Sequence, residues 1–204
     1  MMEYLFAKRH KETSMTFTTT FRTLSFASLA LLGTAAMAQQ GVLPAQSSIE
    51  FTAKQLGVPL KGHFKQFEAQ LQFDVAKPET SKIVFTVDTG SATMGSKETD
   101  SNLLSADWFN VGQFPKATFN STAVKALGDG KYQIDGTLTI KGQSQPVSVP
   151  VTLTQSGDIT TATGSLPLQR LSFKIGDGDW ADTSMVANEV NVQFKLALTG
   201  IGKL

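Results

Sequence analysis

Residues 131–156 read KYQIDGTLTIKGQSQPVSVPVTLTQS, and this stretch decides the fold class. Apolar side chains take every second position on both sides of a Lys-Gly pair at residues 141–142: Tyr132, Ile134, Leu138, Ile140, Val147, Val149, Val151 and Leu153. Alternation with a period of two is typical of strands that have one buried and one solvated face. The short polar connection between the two halves predicts an antiparallel hairpin.

The same alternation extends outward over most of residues 39–204. It recurs in five further segments: Ile49/Phe51/Ala53, Ala69/Leu71/Phe73/Val75, Ile83/Phe85/Val87, Ala117/Phe119/Ser121/Ala123 and Val190/Val192/Phe194/Leu196/Leu198. Turn-forming Gly, Pro, Asn, Asp and Ser residues lie between these segments. Together they predict about eight antiparallel strands in a single domain.

Residues 96–115 break this rhythm. Leu103, Leu104 and Trp108 have helical rather than alternating spacing. The spacing predicts a short helix from about Thr99 to Leu104, with Asp100 or Ser105 as a capping residue.

The predicted sheet is too long to remain flat. A flat sheet would leave exposed edges, so it must fold into a sandwich or close into a barrel. The apolar face is rich in Phe and Val, and the other face carries Thr, Gln, Asn, Ser and Lys. A membrane-spanning barrel would reverse this arrangement and carry aromatic girdles. We therefore expect an all-β protein whose interior is either filled by side chains or able to hold one small ligand.

The composition excludes several classes of function. The sequence has no cysteine and two histidines, His10 and His63, so we predict neither a metal site nor a cofactor. A formal net charge of +1 provides no field that would attract nucleic acid. No G-x-S-x-G motif is present, and a Ser-His-Asp hydrolase would depend on His63 alone after removal of the leader described next.

Residues 1–38 are predicted to be a secretory signal peptide. Arg22 provides the positive region, residues 24–32 the apolar region, and Ala36-Met37-Ala38 the cleavage motif. The apolar part is too short for a membrane span. Residues 1–14 are either an extension of the leader or precede a start at Met15. Residues 39–204 are then the exported domain.

Short sequence blocks follow one another in a characteristic order. They are SIEFT at 48–52, KGHF at 61–64, LQFD at 71–74, LLSADWF at 103–109, FPKATF at 114–119, IDGTLTIKG at 134–142, RLSFKIG at 170–176 and WADT at 180–183. With these blocks the chain resembles the YceI-like family of exported proteins over nearly all of residues 39–204. It departs from the family pattern at Gln55, where a histidine is common, and at residues 143–145.

This resemblance implies a lipocalin-like antiparallel barrel with a short helix, which holds an elongated amphiphile in its interior. The implied ligand is a polyisoprenoid or isoprenoid-quinone-like lipid, and the implied location is the periplasm. We expect inward side chains to line the pocket: Phe51, Phe64, Phe85, Phe119, Ile134, Leu138, Val149 and Phe194. We also expect Trp180 over the opening and Trp108 beside it or plugging a barrel end. His63 is either at a polar headgroup or a surface or hydrogen-bonded histidine without a ligand role.

Three functions remain open at this point. The first is a lipid carrier that makes and breaks no bond, the second a hydrolase or isomerase acting on a lipid, and the third an envelope stress protein with a filled barrel. Five basic residues would meet a phosphate headgroup if they converged at one rim: Lys61, Lys65, Lys141, Arg170 and Lys174. We expect no nucleic-acid partner and no stable membrane insertion, and leave a homodimer open.

Overall fold

The structure is a computed structural model that describes residues 39–204, so the predicted signal peptide lies outside the described residues. This part of the chain forms eleven strands and one α-helix: β1 Gly41–Val42, β2 Ser48–Gln55, β3 Val58–Phe64, β4 Phe67–Gln72, β5 Lys82–Asp88, β6 Ala92–Thr93, α1 Lys97–Leu104, β7 Lys116–Gly128, β8 Lys131–Ile140, β9 Gln143–Ser156, β10 Ile159–Gln169 and β11 Glu189–Thr199. None of its helices has the length and hydropathy needed to cross a membrane.

All strands belong to one antiparallel sheet. Its order is β4-β5-β7-β8-β9-β10-β11-β2-β3-β6, and β1 pairs with β11. Strands β7 to β11 form the predicted meander, whereas β2 pairs with the last strand, β11. The predicted all-β antiparallel fold is confirmed. The strand count is slightly higher than expected, because the two-residue strands β1 and β6 carry no alternation that a sequence pattern could reveal.

The sheet curls into a half-barrel with its apolar face inward. Its hydrogen-bonded order ends at β4 and β6, and Gln40 lies where β4 approaches β1. The Gln40 side-chain Nε2 donates to the Phe73 carbonyl at 2.8 Å, and its Oε1 accepts from the Phe73 N–H at 2.7 Å. One side chain therefore provides the pair of hydrogen bonds that a neighbouring strand would provide, and it connects the two parts of the curled sheet.

Two clusters of buried apolar residues form the core. The strand-built cluster comes almost entirely from β7 to β11: Phe73, Val124, Tyr132, Ile134, Val149, Val151, Leu153, Ala162, Leu198 and Ile201. The loop-end cluster lies at the end of the sheet that carries α1 and the long β10–β11 connection: Phe51, Ala92, Leu103, Phe109, Ile140 and Phe173. The first cluster follows from alternation in the strands, and the second joins strands to irregular segments.

The predicted helix is present and begins two residues earlier than expected. Asp100 lies inside α1, where its carboxylate accepts hydrogen bonds from the Thr93 hydroxyl at 2.6 Å and the Met94 N–H at 2.7 Å. These bonds hold the pKa of Asp100 below its ordinary value and tie α1 to β6. Ser105 is the residue that ends the helix, and its hydroxyl donates to the Asn102 carbonyl. Asp100 therefore positions the helix rather than capping it.

Candidate binding cavity

The interior of the curled sheet contains a cavity of about 440 Å³. This volume lies in the range of roughly 300–1,000 Å³ that is common for small-molecule sites. Both core clusters contribute to its wall, so the cavity runs between them. The wall is almost wholly apolar. Because a cavity of this size remains, side chains do not fill the interior, which argues against the filled-barrel hypothesis.

Apart from Tyr132 of the strand-built cluster, the polar lining residues lie at one end of the cavity. They are Lys54 and Gln55 at the end of β2, Thr99 and Asn102 on α1, and Arg170 after β10. Because these elements surround the loop-end cluster, the cavity has an apolar strand-built end and a partly polar loop end. An elongated molecule with one polar terminus would match this polarity.

The structure places ten of the eleven predicted site residues in the cavity wall, and His63 is the exception. The wall includes the predicted residues Phe51, Phe64, Phe85, Trp108, Phe119, Ile134, Leu138, Val149, Trp180 and Phe194. His63 is exposed on the outer face of β3, opposite Glu50 of β2 and Thr93 of β6. It does not line the cavity, because neighbouring positions in a strand point to opposite faces and Gly62 and Phe64 face inward.

Several inward-facing side chains remain only half-buried. Phe85, Phe119 and Leu138 are in register across β5, β7 and β8, and Phe194 lies on the same inner face. A side chain in a closely packed core has almost no accessible surface. The surface that these four side chains retain therefore faces the cavity.

Sequence reasoning missed a set of glycines on the same wall. Three phenylalanine rings lie against glycines of an adjacent strand: Phe51 on Gly62, Phe119 on Gly136 and Phe194 on Gly164. The available signal was the position of Gly136, which takes an inward place in the alternation between Ile134 and Leu138. A glycine inside a strand often marks close approach of another group.

A buried arginine organises the loop end. Arg170 is 2% exposed, and its five N–H groups donate to five backbone carbonyls. These carbonyls belong to Ile175, Gly176, Trp180, Val186 and Ala187. Burial lowers the pKa of Arg170, and the charge of Asp177 opposes that shift. The guanidinium therefore fixes the β10–β11 connection and has no free donor for a ligand.

Lys141 makes a second clamp on the same segment. Its Nζ donates to the carbonyls of Asp107 and Lys174 and lies 3.5 Å from the Asp177 carboxylate. The condition for a phosphate headgroup site, convergence of the basic residues at one rim, is not met by Lys141 and Arg170, which are buried and bound to backbone carbonyls. Lys61, Lys65 and Lys174 are exposed and do not line the cavity.

The two tryptophans meet beside the loop end of the cavity. The Trp108 and Trp180 rings lie 5.6 Å apart at an angle of 54°, and both contribute to the wall. Trp108 follows α1, and Trp180 lies in the segment that Arg170 holds. The two side chains therefore join the segment after the helix to the β10–β11 connection.

The chemistry that this site offers is apolar burial. Throughout residues 39–204, every buried side-chain nitrogen or oxygen has a hydrogen-bond partner, so none is left to fix a headgroup deep inside. The same residues contain no group of three or more His, Asp or Glu side chains arranged to hold a metal. Such a site discriminates by shape and hydrophobic area.

Comparison with known proteins agrees with this architecture. The model of the YceI-like domain matches residues 41–198. A UPF0312 protein of Ectopseudomonas mendocina is 39% identical over 124 residues, which are 59% of this chain and 65% of that relative. The chain thus spans slightly less than two thirds of that relative's length.

Two solved structures share the fold. BcnA of Burkholderia cenocepacia is 42% identical, with a TM-score of 0.74 over 76% of this chain and 98% of that one. A polyisoprenoid binding domain from Saccharophagus degradans has a TM-score of 0.64 over 79% of this chain and 98% of its own, at 13% identity, so that likeness concerns the fold alone. The family match extends over most of the chain, and the protein therefore belongs to the YceI-like family.

Proposed function

We propose that this protein binds an elongated isoprenoid-type lipid inside its half-barrel and carries or stores it without making or breaking a covalent bond. The observation that carries the proposal is the apolar cavity of about 440 Å³ between the two core clusters. The name of the Saccharophagus domain, which describes polyisoprenoid binding in the same fold, supports the choice of ligand.

The size of the cavity suits a short run of isoprene units. At about 30 Å³ for each water-sized group, 440 Å³ holds roughly fifteen such groups, or about three isoprene units. Burial of hydrocarbon contributes about 0.8 kcal/mol for each CH₂-sized group. Two buried isoprene units then contribute roughly 8 kcal/mol before ordering costs, on the order of micromolar binding. The affinity therefore needs no charged anchor.

The proposal places the protein in the periplasm. Its support is the predicted signal peptide in residues 1–38, followed by a domain without cysteine whose stability comes from its core. In an aqueous compartment next to membranes, a lipid with no aqueous solubility needs an apolar enclosure. The exported domain would then begin near Gln39, just before the Gln40 side chain that binds Phe73.

Lipid extraction tests the proposal directly. The protein is purified from the periplasm, extracted with organic solvent, and the extract is analysed by mass spectrometry. We expect a long-chain isoprenoid in stoichiometric amount, of which the cavity encloses about three isoprene units. Protein that is repeatedly free of lipid and takes up none from isoprenoid-containing vesicles would contradict the proposal.

A matched pair of variants assigns the ligand to the cavity. Ala69 lines the cavity beside Phe85, whereas Ala126 is exposed near the end of β7. We expect Ala69→Trp to abolish lipid recovery, because the indole fills the space of the chain, and Ala126→Trp to leave recovery unchanged. Equal recovery from both variants would place the lipid elsewhere.

The same extraction addresses catalysis. If the protein only retains its ligand, an isoprenoid ester supplied to pure protein is recovered intact. His63 lies on the outer face, away from the cavity. Time-dependent conversion of the ester, lost in Ala69→Trp, would favour the enzyme hypothesis instead.

A further inference from the structure

The phenylalanine–glycine contacts on the inner wall are unusually close. A Cβ atom added to Gly62 would lie 2.2 Å from Cζ of Phe51, and one added to Gly164 would lie 2.3 Å from Cζ of Phe194. Atoms that are not bonded do not approach this closely. Each ring therefore occupies the space that the side chain of any other residue would need.

This arrangement keeps the rings close to the wall. A phenylalanine opposite a side chain has to point away from the sheet, whereas a ring opposite glycine can lie against the backbone of the neighbouring strand. The three contacts are distributed over β2–β3, β7–β8 and β10–β11, which lie on different parts of the curled sheet. Large apolar side chains thus cover the wall without occupying the centre of the cavity.

We infer that Gly62, Gly136 and Gly164 set the cross-section of the cavity, and that this width admits methyl-branched hydrocarbon chains. The inference rests on the proposed function and concerns the width of the ligand rather than its presence. A branched isoprenoid is wider than a straight chain of equal length at every branch. One methyl-sized change in a hydrophobic pocket alters binding by about 10- to 200-fold.

Gly62 offers the cleanest test of the three glycines. The three nearest atoms to its added Cβ all belong to the Phe51 ring. The Cβ atoms of Gly136 and Gly164 would also meet backbone oxygens, those of Asn120 at 2.5 Å and Pro150 at 2.6 Å. Alanine at those two positions would therefore move the sheet itself, whereas Gly62→Ala displaces one ring toward the centre.

The experiment compares two probes of equal main-chain length. Farnesol has methyl branches, and dodecanol lacks them. Affinities are measured by fluorescence displacement on the protein purified and stripped of lipid. We expect Gly62→Ala to weaken farnesol binding about tenfold or more while dodecanol changes about twofold or less. The double variant Gly62→Ala/Phe51→Leu should restore farnesol binding, because the shorter leucine no longer reaches across to residue 62.

Controls separate this effect from damage to the fold. Gly112 has no atom within 4 Å of an added Cβ and no positive φ, so Gly112→Ala serves as the matched glycine variant and should bind both probes normally. Thermal melting verifies that each variant is folded. If Gly62→Ala does not fold, Phe51→Trp adds ring volume over an unchanged Gly62 and should show the same selective loss.

The outcomes distinguish the two proposals. Selective loss of farnesol with recovery in the double variant supports the inference. Wild-type protein that binds farnesol, together with variants that weaken both probes equally or neither, overturns the inference and leaves lipid binding intact. Wild-type protein that binds neither probe and releases no lipid overturns the proposed function, and the inference with it.

Discussion

The two ends of the cavity are built in different ways. At the strand-built cluster, apolar side chains from adjacent strands meet in register, such as Ile134 with Val149 and Tyr132 with Val151. At the loop-end cluster, Phe109 and Phe173 come from irregular segments that buried cations hold in place through backbone carbonyls. Hydrophobic packing on continuous strand ladders maintains the first end, whereas the second depends on side-chain hydrogen bonds to irregular segments.

This difference means that one end of the cavity resists opening, whereas the other end can open to admit a ligand. Strand ladders have their backbone groups paired over long runs, so opening them breaks many bonds at once. The segment from Arg170 to Asn188 lies outside the long ladders and is held by side-chain contacts, turns and a few backbone bonds, such as that from the Ala187 N–H to the Lys54 carbonyl. Fewer bonds therefore oppose its local opening. We therefore expect a ligand to enter at the loop end, while the strand-built end remains fixed.

The largest expected effect is at Arg170. Arg170→Met keeps an apolar stem but leaves five backbone carbonyls at a largely buried site without their donor, so we expect a loss of about 3–5 kcal/mol in the free energy of unfolding. Arg170→Lys should lose nearly as much, because an ammonium group has three donors and a different geometry. Urea unfolding measures the loss. Two variants within about 1 kcal/mol of the wild type would show that the loop end does not depend on this clamp.

A pair of leucine truncations compares the packed end with the cavity wall. Both leucines line the cavity, but Leu153 is a buried member of the strand-built cluster and Leu138 is only half-buried. We expect Leu153→Ala to cost about 3 kcal/mol and Leu138→Ala about 1 kcal/mol, because a half-buried side chain has fewer contacts to lose. Thermal and urea unfolding give both values. Equal losses would mean that Leu138 is packed as tightly as Leu153.

The strand-built end was largely predictable from the sequence. Alternation located β8, β9 and β11 closely and identified the inward residues, because a period of two fixes which face each side chain takes. β10 gave a weaker signal, since its inward positions include Thr160, Ala162 and Gly164. Those positions are small because the opposing strand contributes a large side chain such as Phe194. Single-strand periodicity contains no such information about a partner.

The loop end was predictable only in part. The short helix followed from the spacing of its apolar residues. The contact between Trp108 and Trp180 did not follow from any local pattern, because it joins segments about seventy residues apart. The buried roles of Arg170 and Lys141 did not, because a basic residue in a polar segment is usually exposed. Their burial depends on carbonyls that the folded β10–β11 connection brings together. No local sequence pattern predicts that these carbonyls come together around one cation.

A third prediction concerns the seam of the half-barrel, which is the contact between Gln40 and Phe73 that connects the two parts of the curled sheet. Gln40→Ala removes both hydrogen bonds to Phe73, and we expect it to cost about 1–2 kcal/mol. The effect should be local, so hydrogen exchange at the Phe73 amide should accelerate while amides in β8 and β9 stay protected. Gln46→Ala, in the nearby 3₁₀ helix, is an exposed glutamine control. Uniform acceleration across the sheet would mean that the seam supports the whole strand-built end.

The smallest expected effect is at Asp135. It tests whether polar contacts outside the cavity stabilise the protein as much as the buried cations of the loop end do. Asp135 lies on the outer face of β8, where its carboxylate accepts hydrogen bonds from Ser148, Gln133 and Lys125. These bonds lower the pKa of Asp135 to about 2, with Ser148 contributing most. An NMR titration of the carboxyl group should give that value.

The sign of the pH effect follows from this shift. Because the pKa of Asp135 is lower in the folded protein than in the unfolded chain, its contribution to stability is complete above about pH 4 and is lost as the pH falls toward 2. Asp135→Asn should therefore reduce stability at neutral pH and flatten the decline in that acidic window. The change should be small, since solvent screens a group on the outer face. A loss as large as that of Arg170→Met would show that the polar outer face holds the strand-built end as firmly as the buried cation holds the loop end, and the contrast between the two ends would no longer stand.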